Sequence, residues 1–449
     1  MPDSHDKRGV RQQTKKPTKR TDRPARPTRG GSARDTAPKQ RASSARPSRD
    51  RVTPRNEQRA GSVTNQQVIS PRTDRPRKSA PSNSVHNNLP SKRSSVIIWI
   101  IFALVAITAI AFAIGSCSSG STAGEDGGAL PASDKAAPEA QTITLSFAGD
   151  CTLGTDENFD RSTSFNAKYE AVGDPAYFLA NVADIFAADD ATIVNMEGTL
   201  TDSTTRADKT FAFKAPAEYA QILVEGNVDA ASLANNHSKD YGEKSYTDTI
   251  EAVEAVGIPT FGYDRIAYID VKGVKVALIG TYELAAGIGI KDEMLNNINT
   301  AKEEGAQVIV VFTHWGTERE TVPDSVQMEL GHAAIDAGAT IVVGSHPHVI
   351  QGIEEYHGHS IVYSLGNFCF GGNKNPSDKD CMIFQATFTV QGDSATTDST
   401  TVIPCSISSI SSSNNYQPTP ATGDKKERIE AKIQTSSDAI ARMAASSGE

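Results

Sequence analysis

The sequence predicts an α/β domain that follows a disordered basic arm and a single transmembrane helix. Three observations lead to this prediction. Charge divides the 449-residue chain into two opposite parts, an uncharged apolar run lies between them, and the second part alternates short apolar runs with helical patterns. Such alternation is typical of sheets layered with helices. A soluble cytosolic enzyme is therefore not expected.

Residues 1–95 form a basic arm with 24 Lys and Arg against 7 Asp and Glu, whereas residues 115–449 hold 21 against 47. The arm has too few apolar side chains to bury a core, so we expect it to be disordered. Nucleic acid is not an expected partner, because no aromatic residue precedes Trp99 to stack on bases. Attraction to an anionic membrane leaflet or simple solvation explains the charge as well.

Residues 96–114 are a run of 19 residues without a charge. As a helix, this run would be about 28 Å long, close to the roughly 30 Å hydrocarbon core of a bilayer. The Lys and Arg excess before it predicts a cytoplasmic N-terminus and an extracellular C-terminal domain in the cell membrane. A buried core helix, a cleaved signal peptide and a lipidated Cys117 are alternatives. Residues 115–141 are expected to form a linker.

From residue 142 to 392 the sequence predicts one domain. Short apolar runs predict strands at 142–148, 191–196, 230–233, 274–279, 308–312, 340–343 and 360–364. Apolar spacing near 3.6 residues predicts helices at 174–189, 243–256, 292–304 and 323–337. Gly257, Gly305 and Gly338 follow three of these helices, as C-caps do. Residues 393–449 are expected to be a low-complexity, Ser/Thr-rich tail with a final helix near 425–445.

Polar side chains follow five of the predicted strands at the point where each strand ends. Ligands collect there in α/β sheets, because the loops converge on one crevice. The set offers carboxylates, an amide oxygen and imidazoles, which suits Mn, Zn or Fe better than Ca. The predicted ligands of one or two divalent metal ions are Asp150, Glu197, Asn236, His314, His346 and His348.

The five cysteines form no C-x-x-C pair, so no thiolate metal site is expected. A disulfide bridge from Cys369 to Cys381 is one option.

His346 and His348 are expected to reach one site from an extended backbone, in which residues i and i+2 point the same way. His237 directly follows Asn236, and we expect it to act as the general acid of metal-assisted hydrolysis. The alternative is a histidine that only orients the ligands.

An anionic substrate would need local cations, because residues 115–449 are acidic overall. The predicted substrate-binding residues are Lys214, Glu318 and Asn367, and further candidate cations are Arg206, Lys209 and Arg319.

Six motifs in order resemble the CapA family of bacterial capsule-synthesis proteins over about residues 142–390. They are Phe147-Ala148-Gly149-Asp150, Asn195-Met196-Glu197-Gly198, Leu233-Ala234-Asn235-Asn236-His237, His314-Trp315-Gly316-Thr317-Glu318, Gly344-Ser345-His346-Pro347-His348 and Ser364-Leu365-Gly366-Asn367-Phe368. The resemblance implies a fold similar to calcineurin-like metallophosphoesterases, a two-sheet β-sandwich flanked by helices. It also implies a membrane-anchored role in making or exporting poly-γ-glutamate, with synthase and transporter subunits as partners.

The resemblance implies that Asp150 is the first-motif aspartate, that Glu197 bridges metals, and that Asn236-His237 is the third-motif pair. Metallophosphoesterases have Asp-x-His at the first strand, whereas Cys151-Thr152 follows Asp150 here, so one imidazole ligand is absent. The first expected function is that of a metal-dependent hydrolase or transferase that acts on an anionic polymer outside the membrane. The alternative is a non-catalytic polymer-binding or assembly subunit of an export complex. A secreted phosphatase without a role in the capsule is a third, weaker alternative.

Overall fold

The computed structural model describes residues 68–69 and 139–447. The expected transmembrane helix at residues 96–114, most of the basic arm and most of the linker lie outside these residues. Within the described part of the chain, no helix combines the length and apolar character needed to cross a bilayer.

Eighteen strands and seven α-helices alternate along the described residues. The strands are β1 (Val68–Ile69), β2 (Gln141–Thr152), β3 (Thr155–Asp156), β4 (Ala191–Met196), β5 (Thr199–Leu200), β6 (Phe213–Ala215), β7 (Ala230–Ser232), β8 (Thr260–Phe261), β9 (Ala267–Val271), β10 (Val274–Tyr282), β11 (Val308–His314), β12 (Ile341–Ser345), β13 (Ile353–Tyr356), β14 (His359–Val362), β15 (Asn367–Phe370), β16 (Asp380–Gln391), β17 (Ser394–Ser406) and β18 (Thr419–Pro420). The helices are α1 (Phe165–Val172), α2 (Ala183–Ala188), α3 (Gln221–Glu225), α4 (Glu243–Ala255), α5 (Lys291–Glu303), α6 (Ser325–Ala337) and α7 (Gly423–Ser447).

Two large sheets and one small one carry these strands. The eight-stranded sheet has the order β18-β17-β16-β2-β4-β7-β8, with β15 paired to β2, and its β2, β4, β7 and β8 are parallel neighbours. The seven-stranded sheet has the order β1-β9-β10-β11-β12-β14-β13, and its β10, β11, β12 and β14 are parallel. A three-stranded sheet orders β3-β6-β5. The mixed α/β class predicted from the alternation is confirmed.

The two large sheets share one core, and helices cover their outer faces. Strand β11 shows the arrangement: Val308, Val310 and Phe312 pack in the core between the sheets, whereas Ile309 and Val311 pack with the residues of α5 and α6. Because successive side chains of a strand point to opposite faces, a strand covered on both sides is apolar throughout. The helices α1 to α4 pack likewise against the outer face of the other sheet.

One predicted helix is interrupted. Residues 174–189 form a 3₁₀ turn at Pro175–Tyr177 and then α2, rather than one helix. The amide of Val182 donates to the carbonyl of Leu179 three residues back, which is the tighter 3₁₀ pattern. Phe178, Val182 and Phe186 are buried, and Tyr177 and Ile185 are half-buried. The predicted apolar face therefore lies against the core, although the backbone is not one continuous helix.

The fold continues past residue 392, where the sequence suggested a low-complexity tail. Strands β16 and β17 pair over their whole length, and α7 follows. The Ser and Thr residues of β17 are mostly exposed, so they carry no apolar alternation, but β-branched Thr favours extended backbone. Composition alone therefore did not indicate this strand.

Four cysteines lie in the described residues, and all four are buried free thiols. Cys381 lies opposite Cys405 in the β16–β17 pairing, not beside Cys369. Burial raises the pKa of Cys151 and of Cys405 to about 12, which keeps these thiols protonated.

Candidate metal centre

The predicted ligands meet where parallel strands of both large sheets end. Asp150 lies near the end of β2 and Glu197 directly follows β4, while His314 ends β11 and His346 directly follows β12. Their side chains are almost fully buried. Because the carboxyl ends of parallel strands share an edge, motifs that are far apart in sequence form one cluster.

Asp150 is held from two sides. Its Oδ1 accepts a hydrogen bond of 2.8 Å from Nδ2 of Asn195 on the adjacent strand. Its Oδ2 lies 3.2 Å from Nδ1 of His348. The carboxylate is thus fixed at the strand end with one oxygen directed to the histidines.

Glu197 lies at the middle of the cluster, and its two oxygens have different surroundings. Oε2 accepts a hydrogen bond from the Thr152 hydroxyl at 3.2 Å. Oε1 lies 3.7 Å from Nε2 of His314 and 4.0 Å from Nε2 of His348, yet has no hydrogen-bond partner among the described residues. Burial, and then the charge of Asp150, raise the pKa of Glu197. A buried carboxylate oxygen that accepts no hydrogen bond is unusual and marks a position where a cation could bind.

His314 contacts polar groups through both ring nitrogens. Nδ1 lies 3.0 Å from the Ser345 hydroxyl and 3.3 Å from Nδ2 of Asn195. Nε2 lies 2.9 Å from Oδ1 of Asn236 and 3.7 Å from Oε1 of Glu197. Nε2 therefore faces two oxygen atoms of the predicted ligand set, and it could join them in binding a metal as the tautomer with its proton on Nδ1.

His346 and His348 reach the cluster by a route that the sequence analysis did not predict. Their φ angles are 96° and 57°, so the backbone is left-handed at both residues and not extended as expected. Non-glycine residues rarely adopt such angles, and strained residues cluster at functional sites. The bend still brings both imidazoles into the cluster, with ring centroids 5.5 Å apart.

The three imidazoles differ in charge. Burial lowers the pKa of His314 well below its usual value and lowers that of His346 to about 4, so both are neutral ligands. Burial opposes a charge on His348 too, but Glu197 and Asp150 raise its pKa to about 10. Without a cation, a proton on His348 balances the two carboxylates.

Asn367 holds His348 rather than facing outward. Its Oδ1 lies 3.0 Å from Nδ1 of His348, and its Nδ2 donates to the His348 carbonyl at 3.2 Å. Strand β15 can lie beside β2 only because residue 149 is glycine: a Cβ on Gly149 would come within 1.9 Å of the Gly366 carbonyl oxygen. Glu318 is exposed, and its charge contributes to the raised pKa of His348.

His237 lies at the edge of the cluster, between Glu197 and the carboxylate of Asp240. Its Nδ1 is 2.7 Å from Oδ2 of Asp240, and its Nε2 is 4.0 Å from Oε1 of Glu197. Nζ of Lys209 donates to Oδ1 of Asp240 and to the carbonyl of Asn236, both at 2.8 Å. One ring nitrogen is therefore held by Asp240, and the other faces the ligands.

The structure does not bring Lys214 to this cluster. On β6, Phe213 packs its ring 4.6 Å from that of His237, and the next side chain points the other way. Nζ of Lys214 donates to the Ser203 carbonyl at 2.8 Å and lies 4.4 Å from the Tyr241 ring centroid. Of the other candidate cations, Arg206 pairs with Asp156 at 2.8 Å, Lys209 pairs with Asp240, and Arg319 is exposed.

The donor atoms fit a divalent metal. They form two sets that share Glu197, one with His314 and His346 and the other with Asp150 and His348. Within each set the donor atoms lie within 4.8 Å of one another. Oε1 of Glu197 and Nδ1 of His346 are both buried without a hydrogen-bond partner among the described residues. Both atoms could therefore bind a cation. These groups could hold a metal ion, and the shared carboxylate gives two positions for one.

Sequence reasoning missed the residues that hold the ligands. Asn195 and Asn235 stand inside the strand-end motifs, and Nδ2 of Asn235 donates to Oδ1 of Asn195 at 3.1 Å. Their position at the strand ends was a usable signal. Asp240 had a weaker signal, its place three residues after His237 in a turn.

Comparison with known proteins identifies the family. The family model described as "Bacterial capsule synthesis protein PGA_cap" matches residues 144–372. "Capsule biosynthesis protein CapA" of Bacillus anthracis is 36% identical over 187 residues, which are 37% of this chain and 46% of that protein. "PGA biosynthesis protein CapA" of Bacillus subtilis strain 168 is 35% identical over 211 residues, covering 42% of this chain and 55% of that one.

A probable polyglutamine synthesis accessory protein of Mycobacterium tuberculosis is 25% identical over 216 residues, which are 40% of this chain and 55% of that protein. The chain spans about half the length of the curated relatives that it matches. The family match contains every residue of the cluster described above. Since it covers half of the chain, the chain belongs to the PGA_cap family of bacterial capsule synthesis proteins.

Proposed function

We propose that the chain is a membrane-anchored, metal-dependent hydrolase or transferase that acts on poly-γ-glutamate outside the cell membrane during capsule synthesis. One observation carries the proposal: Glu197 belongs to two buried donor sets, and its Oε1 has no hydrogen-bond partner among the described residues. Family membership supports the link to capsule synthesis, and the names of the relatives support the link to a glutamyl polymer.

A divalent metal ion held by these residues would supply Lewis acidity and lower the pKa of a water molecule. His237 is placed to do the complementary work, because Asp240 holds its Nδ1 and its Nε2 faces the ligands. When water adds to a polymer amide carbon and the carbon–nitrogen bond breaks, Nε2 can take a proton from the attacking water and give it to the leaving nitrogen. Water as the acceptor gives two shorter chains, and an amine or hydroxyl acceptor gives transfer.

The fold and the location are part of the proposal. Two sheets around one core, helices on both outer faces and ligands at strand ends support a calcineurin-like metallophosphoesterase fold. The uncharged run at residues 96–114 behind a basic arm supports one transmembrane helix, with the N-terminus cytoplasmic and the C-terminal domain extracellular. Synthase and transporter subunits of a capsule export complex are the expected partners.

A second candidate is a non-catalytic subunit that binds the polymer or assembles the export complex. Thr152 favours it, because this residue stands where metallophosphoesterases have an imidazole ligand, and its hydroxyl instead donates to Glu197. A centre with fewer ligands could hold a structural or polymer-bridging ion without turnover.

The test is turnover by the purified full chain, loaded in turn with Mn, Zn or Fe and given poly-γ-glutamate. New amino groups and shortened chains are measured for the wild type, for His237→Ala and for His332→Ala. The control residue is His332 on α6, whose Nε2 lies 3.0 Å from Oε1 of Glu354, outside the cluster of predicted ligands. We expect His237→Ala to lose at least about 100-fold in rate and the control to lose nothing. Equal activity of His237→Ala would exclude catalysis by this residue. Restoration of capsule in a deletion strain by a His346→Ala, His348→Ala chain would favour the second candidate.

A further inference from the structure

We propose that a groove beside the metal centre binds an extended stretch of the γ-linked glutamyl polymer and leads it to His237. The inference rests on the proposed function, since it assumes that polymer as the substrate. The aromatic groove, as we call it, is lined by Phe159, Lys168, Phe211, Lys374, Ile410 and Tyr416.

The aromatic groove has room for several polymer units. It consists of two adjoining cavities of about 440 and 360 Å³. Both cavities are lined by Thr163, Ser164, Lys374 and Tyr416, so they share one side. Each cavity alone has the volume of a small-molecule site, and the shared side lets one chain occupy both.

Exposed apolar side chains concentrate in this groove. Among the described residues, large hydrophobic side chains are exposed at Phe211 (48%), Ile410 (44%) and Ile288 (40%). The first two line the aromatic groove. Phe159 supports Phe211 edge to face, with ring centroids 5.9 Å apart. Apolar surface that stays exposed next to a cavity marks a binding surface.

A chain of ring contacts links the groove to the metal centre. The rings of Phe211 and Phe213 stack with centroids 6.3 Å apart, and that of Phe213 lies 4.6 Å from the His237 ring. Gly372 lines the groove, and a Cβ there would lie 2.6 Å from the ring of Phe370. Phe370 in turn lies 5.8 Å from the His348 ring. The groove therefore ends one aromatic ring away from both the candidate acid and a candidate ligand.

The groove also provides the cations that the centre lacks. Lys374 is exposed, and among the described residues its Nζ has no hydrogen-bonded carboxylate. Nζ of Lys168 lies 5.2 Å from the Tyr177 ring. The acid in the lining is Asp160, whose pKa is lowered by hydrogen bonds from Ser162 and by the charge of Lys374, so a polymer carboxylate would share this lysine with Asp160. In a domain where acidic residues greatly outnumber basic ones, this groove has an excess of lysine.

These features match a γ-linked glutamyl chain. Each unit of that polymer places apolar carbons between its amide groups and a free carboxylate beside the main chain. Phe211 and Ile410 can cover the carbons, while Lys374 and Lys168 pair with carboxylates. An α-linked chain holds its carboxylates out on side chains, so its main chain presents no comparable apolar stretch to the rings.

The test measures binding of a fluorescent γ-linked glutamyl decamer to the full chain by anisotropy, with an unlabelled α-linked decamer as competitor. The groove variants are Phe211→Ser and Lys374→Glu. The matched controls are Ile288→Ser and Lys302→Glu, an exposed isoleucine and an exposed lysine outside the groove lining. We expect each groove variant to raise Kd about tenfold and each control to stay within about twofold of the wild type. Metal content and melting temperature are measured for every variant, because Phe211 stacks on Phe213 and Lys302 donates to the Ala337 carbonyl at 3.0 Å. A change in Kd counts only where both quantities stay at wild-type values.

Groove variants that bind as tightly as the wild type would overturn the inference, and so would an α-linked decamer that competes as well as the γ-linked one. Turnover separates this failure from failure of the proposed function. If the wild-type chain cleaves the polymer and the groove variants have the same KM as the wild type, the groove inference is wrong and the proposed function stands. A chain that binds the decamer through the groove but never cleaves it refutes the hydrolase and leaves the groove in place.

Discussion

Nδ1 of His237 lies 2.7 Å from Oδ2 of Asp240, and both side chains are buried. The same carboxylate accepts from Nζ of Lys209 and from the amide of Phe213, so its position is fixed independently of the histidine. A fixed carboxylate holds the Nδ1 proton and the orientation of the ring, so Nε2 of His237 stays directed at the cluster and can carry a proton to a single leaving group.

Asp240→Asn tests this relationship. The amide keeps the volume but removes the charge that holds the Nδ1 proton, so we expect kcat to fall about 100-fold while KM changes little. Asp438→Asn, on an exposed position of α7, is the control and should behave as the wild type. A variant with normal kcat, or one that loses its metal, would show that Asp240 serves folding or ligand placement and not proton transfer.

Metal content tests the ligand set. Two donor sets that share Glu197 predict about two metal ions in the wild-type chain, measured by elemental analysis. The double variant His346→Ala, His348→Ala removes one imidazole from each set and should lose most of this metal. The control, His332→Ala with His357→Ala, removes two histidines outside the cluster and should keep it. No metal in the wild type would identify the cleft as a polymer-binding site.

Metal binding should strengthen as pH rises. Burial opposes a charge on His348, but Glu197 and Asp150 raise its pKa from the usual value near 6.5 to about 10, so the metal-free protein carries this proton at neutral pH. The resulting ion pairs stabilise the metal-free fold fully below pH 6.5, and this contribution is lost as pH rises through about 10. A metal must displace the proton, so affinity should rise up to about tenfold per pH unit between pH 7 and 9. Calorimetry in two buffers of different ionisation enthalpy measures the proton released, and a value of zero contradicts the prediction.

Acid should loosen α7. Burial alone would raise the pKa of Asp380, but hydrogen bonds from Arg428 and Lys432 on α7 outweigh it, and the pKa is lowered. The stability from these bonds is present above pH 3.8 and is lost as pH falls through the lower, folded-state pKa.

Asp380→Asn should remove the same bonds at neutral pH, at a cost of about 1–3 kcal/mol in the free energy of unfolding. Relative to the wild type, hydrogen exchange in the Asp380→Asn variant should speed up more in α7 than in β16. Asp424→Asn, an exposed substitution at the start of α7, is the control. Unchanged exchange in the Asp380 variant would mean that apolar packing alone holds the helix.

The sequence indicated most of the strands that carry ligands. The strand at 191–196 has the predicted bounds, because its apolar run stops where Glu197 begins. Strand β11 extends two residues beyond its apolar run, to His314, because the backbone ladder continues under polar side chains. Periodicity reports on burial, so it finds a strand but not where its hydrogen bonds end.

The sequence predicted which residues would lie together, but not the geometry that brings them together. His346 and His348 were expected from an extended segment, but left-handed backbone brings them together, and no local pattern signals that bend. Lys214 was expected at the substrate, yet strand alternation turns it away from the face that Phe213 presents to His237. Asn367 was expected at the substrate and instead contacts His348, and Asp240 contacts His237 across a turn, and only the fold reveals these two contacts.

Strand β16 lies beyond residue 372, where the family match ends, yet it pairs with β2 from Gln141 to Ala148. β2 is the strand that carries Asp150. A fragment cut at the limits of the match would leave the backbone donors and acceptors on that side of β2 bare. An unprotected strand edge is a template for pairing with another copy, so such a fragment should aggregate, although it retains every ligand. Strand β16, outside the family match, thus covers an edge of β2 that the matched residues alone would leave open to pairing.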